Sequence, residues 1–291
     1  RGIQLPHGKQ PTLCIPNAHK LSFNISRAMQ TKLPLMTKTK KWRVLDLYCC
    51  AGGAARGYEL GGFDEIVGVD KVWKKEYPYE FIQADIEDFI FQQPIEWFQS
   101  FDLIHASPPC QFHSKTKHLA IAQGNLPSDV DHLPMIRAFL RSLDVPYVIE
   151  NVPEAWNKEE RKQITFSCGS HFDLGVQRHR YFEASFPIKQ LKCDHNTPAW
   201  PIGPKGKPKP IGVYGSKGDR IKGMCHKSGK MQEGGWTAES VEEAQQAMGI
   251  QHISTWRNLC QALPPAYTEH VSKCFFEHMR AKETLAIPLE I

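Results

Sequence analysis

Residues 43–70, RVLDLYCCAGGAARGYELGGFDEIVGVD, decide the fold class of this chain. The apolar run from Arg43 to Tyr48 predicts a buried strand, and Glu65 to Asp70 predicts a second strand that ends in an acid. A glycine-rich turn and a short helix are predicted between them. Strand, helix and strand in this order indicate parallel strands, whose ligands bind beyond their carboxyl ends.

The same alternation continues along the chain. Further strands are predicted at EFIQAD (80–85), FDLIHA (101–106) and PYVIEN (146–151), with a helix at 131–143 before the last of them. The fold class is therefore α/β, with a doubly wound parallel sheet. From 184 to 235 the chain is rich in Gly, Pro and Lys, which predicts a small inserted domain of loops and short strands.

A helix is predicted again after this insert. Ser240 and Glu243 have the spacing of a capping box, and Gly249 is placed to end the helix. Val241, Ala244 and Met248 line one helical face.

Composition excludes several protein classes. The chain has 291 residues, of which 41% are apolar and 23% are charged, which is typical of one large or two unequal globular domains. No apolar run approaches the roughly 18 residues that a membrane span needs. Nine cysteines at irregular spacing favour reduced thiols over a disulfide framework. We therefore expect a cytoplasmic protein with no membrane association.

Positive charge is concentrated in two segments, although the net charge is only +5. Residues 1–41 hold eight Lys or Arg and no acid, and residues 188–230 hold ten Lys or Arg against Asp194 and Asp219. Two basic runs in one chain favour a polyanionic partner such as nucleic acid. Solvated loops remain an alternative interpretation, as does a targeting peptide for the first run.

Acidic residues at two strand ends predict a nucleoside-containing cofactor. The glycine-rich turn after the first strand suits close approach of backbone amides to a ligand, although it is not GxGxxG and tight packing would explain it equally. Asp70, at the end of the second strand, can hold ribose hydroxyls. Asp85, after the third strand, can accept a hydrogen bond from an adenine amino group.

A thiol and a carboxyl are predicted to meet at the same edge of the sheet. Cys110 follows Pro108 and Pro109 at the end of the fourth strand, and Glu150 ends the fifth. The segment QRHR (177–180) can add two guanidinium groups there. A lone buried cysteine is usually inert packing. A Cys, a Glu and an Arg pair beside a nucleoside site instead favour chemistry. A reactive thiolate needs a pKa below the usual value of about 8.5, and we expect the cationic arginine side chains to depress the pKa of Cys110.

Six short stretches carry a resemblance to a known family. In order, DLYCCAGG, VGVD, ADI, SPPCQ, ENV and QRHRYF resemble motifs I, II, III, IV, VI and VIII of the DNA cytosine-5 methyltransferases, most like the bacteriophage and prophage members. The resemblance covers about residues 42–183 and resumes near 236–278. It implies a Rossmann-like, S-adenosylmethionine-dependent methyltransferase fold, S-adenosyl-L-methionine as methyl donor, and double-stranded DNA as partner.

The resemblance also implies a domain organisation. A basic N-terminal extension (1–41) precedes a catalytic domain (42–183), a small target-recognition domain (184–235) and C-terminal helices that return to the catalytic domain (236–291). We expect a monomer in the cytoplasm of a bacterial or phage-infected host cell.

Site roles follow from the resemblance, position by position. Cys110 matches the nucleophile, Glu150 the carboxyl that holds the ring nitrogen and exocyclic amine, and Arg178 and Arg180 a pair whose second member reaches the cytosine carbonyl. The positions matching cofactor-binding residues are Tyr48, Cys50, Ala51, Gly52, Gly53, Asp70, Lys71, Asp85, Ile86 and Pro109. The expected DNA-binding residues are Gln111, Ser114, Lys115, Lys117, Lys205, Lys207 and Lys209.

The chain departs from the family pattern at four places. Tyr48 replaces Phe and Cys50 replaces the first Gly of motif I, which could narrow the room for the methionine tail of the donor. Val176 stands where motif VIII has Gln, although Gln177 is adjacent, and CQALPPAYTEHV (260–271) stands where Gly-Asn is expected. Two alternatives stay open: a tRNA cytosine-5 methyltransferase, which shares the motif set, and an inactive methyltransferase-like DNA-binding protein. A nicotinamide oxidoreductase is disfavoured because GxGxxG is absent.

Three cysteine and histidine pairs raise the question of a metal site. The pairs are Cys168 with His171, Cys193 with His195, and Cys225 with His226. Only the first has near-ligand spacing and the set lacks CxxC, so the sequence favours no metal.

Overall fold

The computed structural model describes residues 40–113, 130–198, 200, 209–214 and 236–285. Within these ranges a seven-stranded sheet has the strand order β3-β2-β1-β4-β5-β7-β6. Its strands are β1 (Arg43–Leu47), β2 (Glu65–Asp70), β3 (Glu80–Gln83), β4 (Leu103–Ala106), β5 (Tyr147–Asn151), β6 (Thr165–Ser167) and β7 (Arg180–Ala184). Strands β1 to β5 are parallel, and β7 runs antiparallel to both β5 and β6.

Helices cover both faces of this sheet. They are α1 (Gly53–Gly61), α2 (Ile86–Gln92), α3 (Ile95–Gln99), α4 (Leu133–Ser142), α5 (Glu160–Gln163), α6 (Val241–Met248), α7 (Trp256–Gln261) and α8 (Pro265–Leu285). Two 3₁₀ turns span Pro153–Ala155 and Gly169–Phe172, and a short parallel pair joins β8 (Ile211–Gly212) to β9 (Trp236–Thr237). No helix in the described part of the chain is long and apolar enough to cross a membrane.

The central strands are buried on both faces because alternate side chains enter two separate cores. Leu45, Leu47 and Ile104 pack in one core with α2 and α4. Val44 and Leu103 point to the opposite face and pack with α1 and α8. This burial on both sides explains why these strands are continuous apolar runs rather than alternating ones.

Helix α8 lies against α1 through a close backbone approach. A Cβ placed on Gly57 would lie 2.0 Å from Thr268 Oγ1, so a larger residue cannot occupy this position without displacing α8. Thr268 Oγ1 instead donates a hydrogen bond to Ala54 O at 2.8 Å. The C-terminal helix is thereby fixed beside the turn that follows β1.

The predicted strands and helices are confirmed, with small differences at their ends. The third strand ends at Gln83 rather than at Asp85, because Asp85 is the N-cap of α2. Ser240 caps α6 as expected and Gly249 ends it with φ 66°. The Glu243 carboxylate, however, accepts from Glu239 N rather than from the backbone of Ser240. The domain boundaries predicted from the sequence stay predictions.

Candidate active site

The chain turns sharply after β1. Tyr48, Cys50 and Gly52 have φ values of 60°, 47° and 86°, a left-handed conformation that costs free energy for the two residues with side chains. Asp70, at the end of β2, stabilises this turn because its Oδ2 accepts from Cys50 N at 3.0 Å. Its Oδ1 accepts from Val72 N, also at 3.0 Å. Asp70 therefore ties the ends of β1 and β2 together.

A second acid lies at the neighbouring strand end. Asp85 Oδ1 accepts from Glu87 N at 3.1 Å and begins α2, and its Oδ2 lies 3.5 Å from Lys71 Nζ. Ile86 is buried behind it. The structure thus brings Asp70, Lys71 and Asp85 to one edge of the sheet, beyond β2 and β3.

These residues fit the nucleoside end of S-adenosyl-L-methionine. The carboxylates of Asp70 and Asp85 retain lone pairs for hydroxyl or amino groups beyond their protein contacts. The buried Tyr48 hydroxyl has no hydrogen-bond partner among the described residues, so it can bind an additional polar group. Gly53, the first residue of α1, has a packing role: a Cβ there would lie 2.4 Å from Leu263 O, so the C-terminal segment requires glycine at this position.

The predicted carboxyl and guanidinium groups meet beyond β5. Glu150 is buried at the end of β5, and its Oε1 lies 3.1 Å from Arg180 Nε at the start of β7. Burial raises the pKa of Glu150, and the charges of Arg180 and Arg178 only partly oppose this rise.

Cys110 lies in the field of the same three charged groups. Burial raises the pKa of its thiol; Arg180 and Arg178 lower it, and Glu150 raises it further. The sequence had led us to expect a depressed thiol pKa. The pKa is raised instead because the thiol is desolvated and because Glu150 offsets part of the positive charge of the arginines.

Arg178 is held differently from Arg180. Its guanidinium donates to Val213 O at 3.2 Å and to Cys260 O at 2.6 Å, and the Tyr267 hydroxyl donates to its backbone carbonyl at 2.6 Å. Burial and then Arg180 lower its pKa to about 10, so it is charged at neutral pH. Arg178 thus joins the sheet to the C-terminal segment, and Arg180 contacts the carboxyl.

Two supporting contacts were not predicted from the sequence. Asn151 donates from Nδ2 to Pro108 O at 3.0 Å, which holds the turn before Cys110 against the end of β5. His105 lies between Tyr58 and Ser107, with ring nitrogens 2.8 Å and 2.7 Å from their hydroxyl oxygens. The motif ENV already contained Asn151, but nothing in the sequence pattern pointed to His105.

The remaining predicted residues are only partly described. Pro109 and exposed Gln111 flank Cys110, and Ala51 and Gly52 are buried in the turn after β1. Lys209 is half-buried at the start of the short segment that contains β8. Five predicted DNA-binding residues lie outside the described residues: Ser114, Lys115, Lys117, Lys205 and Lys207.

The structure groups cysteines and histidines differently from the three pairs considered in the sequence. Cys168 and Cys193 lie together with His179 and His195. His171 is not a member of this group, and Cys225 and His226 lie outside the described residues.

Comparison with known proteins bears on the fold. No protein family model and no curated protein matches the sequence. A solved structure from an E. coli prophage, assigned as a DNA modification methyltransferase, is 15% identical over 82% of this chain and 100% of its own, with a TM-score of 0.50. A methyltransferase of Entamoeba histolytica is 15% identical over 82% of this chain and 99% of its own, with a TM-score of 0.46. The chain has the Rossmann-like methyltransferase fold.

Proposed function

We propose that this protein is a DNA cytosine-5 methyltransferase that uses S-adenosyl-L-methionine. The observation that carries the proposal is Cys110, placed beside the buried pair of Glu150 and Arg180 where β4 and β5 end. A thiol, a carboxyl of raised pKa and two guanidinium groups form the set that attack on a cytosine ring requires. The fold, together with the prophage DNA modification methyltransferase that shares it, supports methyl transfer to DNA.

The donor would supply an electrophilic methyl group. In this proposal Asp70 and Lys71 bind its ribose and adenine edge, and Asp85 with Ile86 forms the adenine pocket. Tyr48 adds a buried hydroxyl beside the same turn.

The nucleophile is needed because carbon 5 of cytosine is weakly nucleophilic. The Cys110 thiolate forms a bond to carbon 6, and the electron pair of the 5,6 double bond moves onto carbon 5. Glu150, protonated, donates to ring nitrogen 3 and stabilises the charge that arrives on the ring. After methylation of carbon 5, a base such as water removes the carbon 5 proton, the double bond re-forms and the sulfur–carbon bond breaks.

Coupling between Glu150 and Cys110 explains how a thiol of raised pKa can react. While Glu150 is ionised, it opposes formation of a second negative charge on Cys110. Once Glu150 is protonated, that opposition ends, and the positive charges of Arg180 and Arg178 favour the thiolate. Transfer of one proton from the Cys110 thiol to the Glu150 carboxylate therefore produces the nucleophilic thiolate and the protonated carboxyl together. The raised pKa of Glu150 favours its protonated form.

The target base must leave the duplex to reach Cys110, at a cost of a few kcal/mol. We propose that Gln111, Lys115 and Lys117, which follow Cys110 in the sequence, contact the DNA beside the displaced base. Lys205, Lys207 and Lys209 would contact phosphates from the insert.

The test is methyl transfer from labelled S-adenosyl-L-methionine into duplex DNA and, in parallel, into tRNA. We expect label in duplex DNA and 5-methylcytosine by bisulfite sequencing. Duplex DNA containing 5-fluorocytosine should form an adduct that survives denaturing electrophoresis, because no proton can leave carbon 5.

Cys110→Ala should abolish both turnover and the adduct, while Cys274→Ala, which removes a buried thiol of α8, should retain them. Methylation of tRNA but not of duplex DNA would show that the substrate is RNA. Persistent methylation by the Cys110 variant would remove Cys110 from the mechanism.

A further inference from the structure

Four side chains outside the candidate active site bring metal-binding atoms together. The ligand atoms of Cys168, His179, Cys193 and His195 all lie within 4.8 Å of one another. Cys193 Sγ lies 2.8 Å from His195 Nε2 and 3.4 Å from His179 Nε2. Cys168 Sγ lies 3.7 Å from His195 Nε2.

We propose that these four residues bind one structural Zn²⁺ ion. With Zn–S bonds of about 2.3 Å and Zn–N bonds of about 2.0–2.1 Å, two ligands of a tetrahedral zinc lie roughly 3.3–3.8 Å apart. Two of the distances given above, 3.4 and 3.7 Å, lie within this range and the third, 2.8 Å, is shorter, so small side-chain movements are enough for coordination. Two cysteines and two histidines form a closed set, which is typical of structural rather than catalytic zinc.

The donor chemistry selects the metal class. Thiolate and imidazole ligands favour zinc over magnesium or calcium, which prefer oxygen. Coordination requires both thiols to lose their protons, so binding releases two protons and is weakened by acid.

Neighbouring groups orient the proposed ligands. Ser170 Oγ lies 3.3 Å from Cys168 Sγ and 3.4 Å from Cys193 Sγ, so one hydroxyl contacts both sulfurs. The exposed His195 ring stacks on buried Trp200, with 5.4 Å between ring centroids and 27° between planes. Supporting contacts of this kind fix ligand orientation in zinc sites.

The ligands come from three separate segments of the chain. Cys168 follows β6, His179 immediately precedes β7, and Cys193 and His195 lie after β7, in the first part of the predicted insert. His179 lies between Arg178 and Arg180 in the sequence. A zinc bound here would therefore fix the backbone that presents both arginines, without itself contacting the reacting base.

Zinc content of the purified full chain tests this proposal, which does not depend on the proposed methyltransferase activity. Elemental analysis of protein prepared without chelators should give about one zinc per chain. The double variant Cys193→Ser/His195→Ala should hold less than a tenth of that amount. The matched control is Cys274→Ser/His270→Ala, because Cys274 Sγ and His270 Nε2 form another Cys–His contact, at 3.9 Å, outside the cluster.

Cobalt binding by the wild-type chain keeps the test independent of whether a variant folds. After chelator removes the resident metal, one equivalent of Co²⁺ should produce the visible bands of tetrahedral cobalt with thiolate ligands, and Zn²⁺ should abolish them. His171→Ala should retain the metal, because His171 accepts from Cys168 N and is not one of the four ligands.

Wild-type protein that holds no zinc and gives no tetrahedral cobalt spectrum would overturn the proposal. Full zinc content in the double variant would overturn it too. A zinc-loaded chain that transfers no methyl group would contradict only the proposed function.

Discussion

Arg180 Nε lies 3.1 Å from Glu150 Oε1, and the two side chains are only 18% and 10% exposed. Desolvation of such a pair costs much of what the attraction contributes, so its presence is weak evidence for stability. The pair does fix the carboxyl beside Cys110, whose thiol feels both charges. We therefore expect its loss to affect the reaction more than the fold.

Arg180→Met should lower kcat by about 10²–10³-fold, the size seen when a group that stabilises transition-state charge is removed. Arg180 lowers the pKa values of both Glu150 and Cys110, so both limbs of the pH profile of kcat should move to higher pH in the variant. Steady-state kinetics over a range of pH values measure this. The control is Arg141→Met, which breaks an ion pair between exposed Arg141 and buried Glu183 of β7, the strand that begins at Arg180. A pH profile that does not shift would show that Arg180 does not influence the pKa of Glu150 or of Cys110.

Asp70→Ala should weaken binding of S-adenosyl-L-methionine by about 10–100-fold, as expected for loss of a charged hydrogen bond worth about 1.5–3 kcal/mol. Calorimetry with the purified variant measures this. Asp70 also holds Cys50 N, so a thermal melt should accompany the titration. Asp64→Ala is a matched control because Asp64 precedes β2 at its opposite end and accepts from Trp42 N. Unaltered donor binding would contradict the role of Asp70.

Much of the fold could be predicted because its signals are local. Apolar runs such as 43–48 and 65–70 are buried strands, and parallel pairing places Cys110 and Glu150 at one edge. The contact between Glu150 and Arg180 depends on antiparallel pairing of β7 with β5, which the sequence pattern does not specify. Burial at Cys110 also depends on tertiary packing, so the direction of its pKa shift was predicted wrongly.

The cysteine and histidine cluster shows a second limit of sequence reasoning. Cys168 and His171 have the better spacing, yet His171 donates no ligand atom to the group that the fold assembles. His179, which joins the group instead, was considered only as a neighbour of two arginines. His179 reaches Cys168 because β6 and β7 pair in an antiparallel register, with Ser167 opposite Arg180, and this long-range pairing is not visible in the local sequence.

Replacing Lys205, Lys207 and Lys209 with Ala should weaken DNA binding broadly and reduce its dependence on salt. The slope of log K against log salt concentration should fall by about 0.9 for each phosphate contact that is lost. Titrations of duplex DNA at several salt concentrations measure this. The double variant Lys158→Ala/Lys282→Ala should retain the slope, because Lys158 is exposed before α5 and Lys282 is exposed on α8. A wild-type slope in the triple variant would remove these lysines from the interface.

His105 should make the stability of this protein sensitive to mild acid. It is fully buried between Tyr58 and Ser107, and burial lowers its pKa to about 3. The unfolded chain binds a proton at this residue below about pH 6.5, and the native state does not until about pH 3. Its contribution to stability is therefore present above pH 6.5 and falls by up to about 1.4 kcal/mol per pH unit below it.

Urea unfolding of the wild type and of His105→Gln at pH 6.5 and pH 5 measures this contribution. Between these values the wild type should lose about 1.6 kcal/mol more unfolding free energy than the variant, because glutamine binds no proton in either state. Tyr58→Phe is the control: it removes one hydrogen bond to the ring but leaves the imidazole buried, so its stability should fall at both pH values with the wild-type difference retained. Equal losses in the wild type and in His105→Gln would show that the ring is not held neutral.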